Sequence, residues 1–164
     1  MSDRATLDAV QFADSGAELT GEFAISDLQR LVVFLREPGG SLSYRAIGHR
    51  RGDGKPAIRL ELRGQVVLTC QRCLESMEQR LEVFRELVFV EQSGFGDVTE
   101  EEADADYLPA DLALDLKDLV EDEALLCLPM APKHEIGECP AQGLGAESAL
   151  GRNPFSMLSI LKKH

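Results

Sequence analysis

Val66-Val67-Leu68-Thr69-Cys70-Gln71-Arg72-Cys73 is an apolar run that ends in two cysteines separated by two residues. A β-branched approach into Cys-x-x-Cys reads as a strand entering a tight turn that carries both sulfurs to one point. Two thiolates so placed can grip one borderline metal ion or exchange one disulfide. His134 and Cys139, far downstream, complete a Cys3His inventory for Zn2+, in which the thiolates supply charge and the imidazole a neutral donor. The candidate metal ligands are therefore Cys70, Cys73, His134 and Cys139, and spacing alone does not show that the fold joins them. Cys127 ends an apolar helical stripe and reads as a small buried hydrophobe.

Working upstream, Leu42, Tyr44 and Ala46 alternate with polar residues, and Ile58, Leu60 and Leu62 alternate with Arg59, Glu61 and Arg63. That period of two belongs to strands with one wet side. Gly52-Asp53-Gly54-Lys55-Pro56 marks a turn between them, and Arg63-Gly64-Gln65 a second bend. Past the cysteines, Met77 to Val90 fits two periods: Leu81, Val83, Leu87 and Phe89 alternate, while Met77, Leu81, Phe84 and Val88 follow a helical stripe. The Val and Phe at its end favour strand.

Ser26-Asp27-Leu28-Gln29 reads as a capping box, so a helix is expected to carry Leu28, Leu31, Val32 and Leu35 into the core before Pro38-Gly39-Gly40. Asp115 caps a second helix with Leu116, Leu119, Val120, Ala124 and Cys127 on one side; Glu121, Asp122 and Glu123 read as its solvated flank. The opening through Thr20 offers a short strand at most. These elements predict an α+β fold: an antiparallel β-sheet (meander) with two main helices packed on it. Residues 1–139 form a single domain in this reading, with a mobile acidic loop at about 93–110. A Gly/Ala-rich linker and a short apolar-basic tail occupy 140–164.

A chain of 164 residues with 44% hydrophobic residues can bury a real core, and no apolar run is long enough to span a bilayer. Met1-Ser2-Asp3-Arg4 does not open like a secretory signal, so a cytoplasmic setting with reduced thiols is expected. The net charge of −12 is uneven: residues 1–90 hold 12 basic and 13 acidic residues, the remainder 5 and 16. An acidic second half repels phosphate. Arg45, Arg50, Arg51, Lys55, Arg59, Arg63 and Arg72, by contrast, make a candidate RNA-binding set around the sheet and the cysteine turn. In the tail, Pro154, Phe155, Leu158 and Leu161 are candidate partner-docking residues, followed by Lys162-Lys163.

No glycine-rich phosphate loop, nucleophile elbow or convincing nucleophile–His pair emerges, so the chain does not read as an enzyme. The competing reading is a thiol-disulfide oxidoreductase using Cys70 and Cys73, although Glu75 and Glu78 beside them disfavour a thiolate. Four elements stand in series: Val66-x-Leu68-x-Cys70-Gln71-Arg72-Cys73; Asp115-Leu116 with Val120-Glu121-Asp122-Glu123; Leu128-Pro129-x-x-Pro132-x-His134 with Cys139; and Asn153-Pro154-Phe155 with Leu158, Leu161 and Lys162. Together they resemble the bacterial family of large ribosomal RNA subunit accumulation proteins, YceD. A second alternative is an acidic adaptor that binds a ribosomal protein. The resemblance implies a cytoplasmic, non-enzymatic factor in synthesis, processing or stability of 23S rRNA, and so in large ribosomal subunit assembly. Its partner would be ribosomal RNA, a pre-large-subunit particle or a ribosomal protein.

Overall fold

A computed structural model describes residues 6–91, 105–111 and 113–139. In chain order the elements are β1 (Thr6–Asp8), α1 (Ala9–Ser15), β2 (Glu18–Ala24), a 3-10 turn (Ile25–Asp27), α2 (Gln29–Val32), β3 (Ser41–Arg50), β4 (Pro56–Thr69), β5 (Ser76–Val90), β6 (Asp106–Pro109), β7 (Ala113–Asp115) and α3 (Leu116–Cys127). Strands β2 to β6 lie side by side in sequence order, and a separate two-stranded ribbon pairs β1 with β7. The expected α+β class and the antiparallel meander hold from β2 through β5, and β6 adds to β5 in parallel.

Apolar alternation dictates which face of the sheet is covered. Ala46, Ile58, Leu60, Leu62, Val83, Leu87 and Phe89 pack against Ala9 and Phe12 of α1 and against Leu116, Leu119 and Val120 of α3. A second cluster joins Leu42, Val66, Leu68 and Leu81 of the sheet to Ile25, Leu28, Leu31 and Ala124. The opposite face carries Arg45, Arg59, Glu61, Arg63, Glu82 and Phe84 at paired positions and is left uncovered over most of its length by the described residues.

Several expectations are corrected. No bend occurs at Arg63-Gly64-Gln65: β4 runs through it, because a Cβ at Gly64 would strike the Leu42 side chain and the strand keeps its path only without one. The opening holds more than a short strand, since Ala9–Ser15 is helical, with Asp8 accepting from Gln11 N at 2.9 Å and Gly16 closing it at φ 62°. At seven residues α1 is too short to display a period. The expected acidic loop ends before residue 106, where Asp106–Pro109 forms a strand; its residues 93–104 lie outside the described ones, as does the tail from 140.

The capping box does not form. Ser26 lies in the 3-10 turn, and α2 is a single turn beginning after Leu28 with no side-chain cap. Its first amides find a distant acceptor: Arg30 N and Leu31 N donate to Glu121 Oε1 of α3 at 2.6 and 3.0 Å. The Arg30 guanidinium then pairs with Glu121 Oε2 at 2.8 Å and Asp122 Oδ1 at 2.5 Å. Leu28 and Leu31 are fully buried, as their stripe predicts. The Asp115 cap on α3 is also present, accepting from Lys117 N and Asp118 N at 2.9 and 3.3 Å.

The acidic flank of α3 is not uniformly solvated, because Glu121 and Glu123 are 4% and 5% exposed. Burial opposes the Glu121 charge, but the Leu31 amide and the groups of Arg30 overcome it and hold its pKa below the ordinary carboxylate range. Glu123 goes the other way: burial raises it, and Arg85, 3.2 Å away, only partly pulls it back.

Two consequences can be measured. A Cβ at Gly48 would sit 2.8 and 2.9 Å from Phe12 C and Ala13 Cα, rigid backbone of α1. Gly48→Ala should therefore lift α1 off the sheet and lower the urea-unfolding free energy by about 1–3 kcal/mol. Glu121→Gln should cost about 2–3 kcal/mol at neutral pH, since it removes the charge from a buried acceptor of two amides and a guanidinium. A carboxyl with a lowered folded pKa stabilises above its unfolded value of about 4.3, and that contribution is lost as pH falls through the folded one. The gap between wild type and variant should accordingly close in urea titrations below about pH 4.

Candidate metal centre

The β4–β5 connection is the Cys-x-x-Cys turn. Cys70 N donates to Glu75 O at 2.9 Å and Leu74 N to Cys70 O at 2.9 Å, closing the turn around both sulfurs. Leu74 sits at φ 64°, the one positive value at a non-glycine position among the described residues. This left-handed step lets the chain reverse straight into Ser76. The loop after α3 is then hung on the turn: Gln71 N donates to Pro132 O at 2.8 Å, and Arg72 Nη2 donates to the carbonyls of His134 and Glu135 at 3.1 and 3.2 Å.

Those bonds bring four distant donors together. The ligand atoms of Cys70, Cys73, His134 and Cys139 all lie within 4.8 Å of one another. Cys70 Sγ is 4.0 Å from Cys139 Sγ, and Cys73 Sγ is 3.4 Å from His134 Nδ1. Donors on a tetrahedral ion with metal–sulfur bonds of about 2.3 Å stand roughly 3.6–3.8 Å apart, so the group needs little movement to close on one. The His134 ring is oriented from behind, its Nε2 lying 3.1 Å from Ser76 O. That carbonyl accepts the ring proton and leaves Nδ1 with a lone pair facing the sulfurs, the usual outer support of a metal-bound imidazole. Cys70 and Cys139 are buried, Cys73 half-buried, and the four residues form a group that could hold a metal ion.

Electrostatics bias the cluster toward negative charge. Burial opposes ionisation of Cys70, but amides of Cys73, His134 and Arg72 outweigh it and draw the thiol down to about 5. Burial and the neighbouring Cys139 push Cys73 up to about 11. Cys139 is lowered against its burial by Cys73, Arg72 and His134, while His134 is raised by the two sulfurs it faces. The cluster thus favours charge on some sulfurs at the expense of another, and a bound cation would let all three ionise.

Cys127 packs as a partly buried hydrophobe against both core clusters and stays out of the group, as its helical position predicts. The Cys-x-x-Cys turn joins two strands; no helix begins there to lower the first thiol in the thioredoxin manner. The sequence does not signal the roles of Arg72, Gln71 and Ser76. Gln71 and Arg72 donate to main-chain carbonyls of the 132–135 segment and the Ser76 carbonyl accepts from the His134 ring, with Arg72 and Ser76 reaching partners 58 to 63 residues away, which no local pattern encodes.

The seven basic candidates are not brought to one patch. Arg45, Arg59 and Arg63 stand on the open face, Arg50 on the covered side against Asp14 at 2.7 Å, Arg51 and Lys55 at the β3–β4 turn, and Arg72 in the cysteine turn. Most meet carboxylates: Arg45 meets Glu18 at 2.8 Å, Arg51 meets Glu86 at 3.7 Å, Lys55 meets Asp53 at 3.3 Å and Arg59 meets Glu86 at 4.0 Å. Arg63 instead lies over the Phe84 ring at 5.7 Å. Pro154, Phe155, Leu158 and Leu161 lie outside the described residues.

Fold and site together define a small α+β protein whose last described loop is hydrogen-bonded to the β4–β5 turn and gathers with it a Cys3His group. No helix among the described residues is long and apolar enough to cross a membrane. The chain belongs to the family described as large ribosomal RNA subunit accumulation protein YceD, whose model matches residues 58–156. It is similar to a protein of Haemophilus influenzae carrying that same description, 27% identical over 173 residues that cover 96% of this chain and 95% of that one. No solved structure matches the chain.

Proposed function

We propose that this protein is a cytoplasmic, non-enzymatic factor in the synthesis, processing or stability of 23S rRNA, acting in large ribosomal subunit assembly. The observation that carries the reading is the family match across residues 58–156, which spans the cysteine turn, α3 and the His134–Cys139 loop as one unit. Its immediate partner is ribosomal RNA or the pre-large-subunit particle. RNA contact falls to Arg63, which has no carboxylate partner among the described residues and stacks on Phe84, an arrangement suited to an unpaired base. The tail residues Pro154, Phe155, Leu158 and Leu161 dock on the particle.

Within this reading the donor cluster holds Zn2+, which three sulfurs and one imidazole suit better than an oxygen-seeking ion. The ion acts as a clamp: it fixes the 132–139 loop against the β4–β5 turn, and all four protein ligands leave no open position for chemistry.

Protein purified under reducing conditions should carry about one zinc per chain by elemental analysis, and Cys70→Ser or Cys139→Ser should lower that content at least about tenfold. A metal-free protein with a reversible Cys70–Cys73 disulfide would instead favour the oxidoreductase. In density-gradient sedimentation of cell extract the protein should co-migrate with immature large-subunit particles. A purely free pool would count against the assembly role, and crosslinking recovered only on ribosomal protein would remove Arg63 as an RNA contact.

A further inference from the structure

Strand β5 is fifteen residues long, but its two sides are used unequally. On one side β4 pairs with it from Ser76 to Val88, whereas on the other β6 takes only Leu87 to Val90. Val90 O accepts from Ala110 N at 2.8 Å on the β6 side. By the alternation of a strand, Glu78, Arg80, Glu82, Phe84 and Glu86 direct their N–H and C=O groups to that same side. Two bonds agree with this parity: Ser76 O lies 3.1 Å from His134 Nε2, and Arg80 O accepts from its neighbour Gln79 Nε2 at 3.0 Å. No strand among the described residues pairs with the edge between Glu78 and Glu86. The segment holds no proline, and its one-to-one register with β4 has no bulge, so neither of these devices interrupts its main-chain edge.

Charge selects the kind of strand this edge can take. Glu78 and Glu82 project from it onto the open face, with Arg80 leaning 4.0 Å from Glu82 and Arg63 across from Glu82 on β4, while Glu86 is already met by His49, Arg51 and Arg59. At the Ser76 end the edge opens into a cleft of about 390 Å³ whose charged walls include Glu78, Glu135 and Glu138 against Lys133. Phe84, 57% exposed, offers an apolar contact one step along.

We propose that the β5 edge from Glu78 to Glu86 binds an extended basic peptide segment as a sixth strand of the sheet. Lysine or arginine four residues apart would stand across from Glu78 and Glu82, with an apolar residue across from Phe84; main-chain bonds supply affinity and the carboxylates supply selection. Acidic segments are repelled by the same carboxylates. Phe84 is shared with the proposed Arg63 contact to RNA, but the main-chain edge is not, so protection of the edge amides reports on the peptide alone.

The test uses the full chain and a labelled peptide of about ten residues whose one face carries lysine, threonine, lysine and valine, to stand across from Glu78, Arg80, Glu82 and Phe84, with threonine at the intervening positions, followed by anisotropy and by amide hydrogen exchange. Binding should protect the amides of Glu78, Arg80, Glu82 and Phe84. Glu82→Pro removes an edge-facing N–H while leaving the bonds to β4, and should weaken binding at least about tenfold. Glu78→Lys with Glu82→Lys keeps the edge and reverses its charge; it should give a similar loss and serves if the proline variant does not fold. Glu22→Gln, on β2 at the far edge of the sheet, should leave affinity within about twofold. Equal binding by the charge-reversed variant would overturn the proposal. So would edge amides already protected in the protein without peptide, which would mean that residues of the chain's own tail occupy the edge.

Discussion

The pairing of β4 with β5 keeps one register from Ala57↔Val88 to Thr69↔Ser76, and the rest of the molecule is arranged on that ribbon. Because the period never slips, every apolar residue of the covered face stays on that face, which is what allows α1 and α3 to close over it. The ribbon reverses at the Cys-x-x-Cys turn, so the sulfurs sit at the end of the longest strand pairing of the sheet. Donors mounted there have a fixed frame to which a loop can be attached.

The helices are attached differently. Single-turn α2 has no local cap, and its amides depend on a carboxylate contributed by α3 from 91 and 90 residues away. Glu121 thereby satisfies groups that would otherwise be buried without partners, and its own charge is tolerated because Arg30 covers it. Beyond the C-terminal end of α3, the loop after Pro129 depends on Arg72 and Gln71 in the same manner. The middle of α3 and the loop that follows it are thus fixed by groups supplied from earlier in the chain, while its N-terminal end is capped locally by Asp115.

How much of this could be read from residues alone depends on how local each cause is. Strand alternation at Leu42 to Ala46 and Ile58 to Leu62, and the Asp115 cap, are encoded within a few residues and were legible. Gly64 and the Ser26 box misled because their meaning is set by distant atoms: Leu42 fills the space where a Cβ would go, and Glu121 replaces the expected cap. The Glu121-Asp122-Glu123 run looks uniform as sequence, yet a helix turns adjacent residues about 100° apart and so buries two and exposes one. The Cys3His group was legible as an inventory of donor types. Its assembly rests on main-chain bonds between the turn and the 132–135 segment, which carry no sequence signature.

The order in which these contacts can form is set by the separation of their partners. Arg30 waits 91 residues for Glu121, and Cys70 waits 69 for Cys139. On a translating ribosome residues of the β2–β5 sheet emerge before α3, so its apolar face still lacks that cover, and the thiols of the hairpin stay uncovered until the 132–139 segment leaves the exit tunnel. The nascent molecule passes through a stage that is sticky and thiol-exposed, and it matures from the sheet outward.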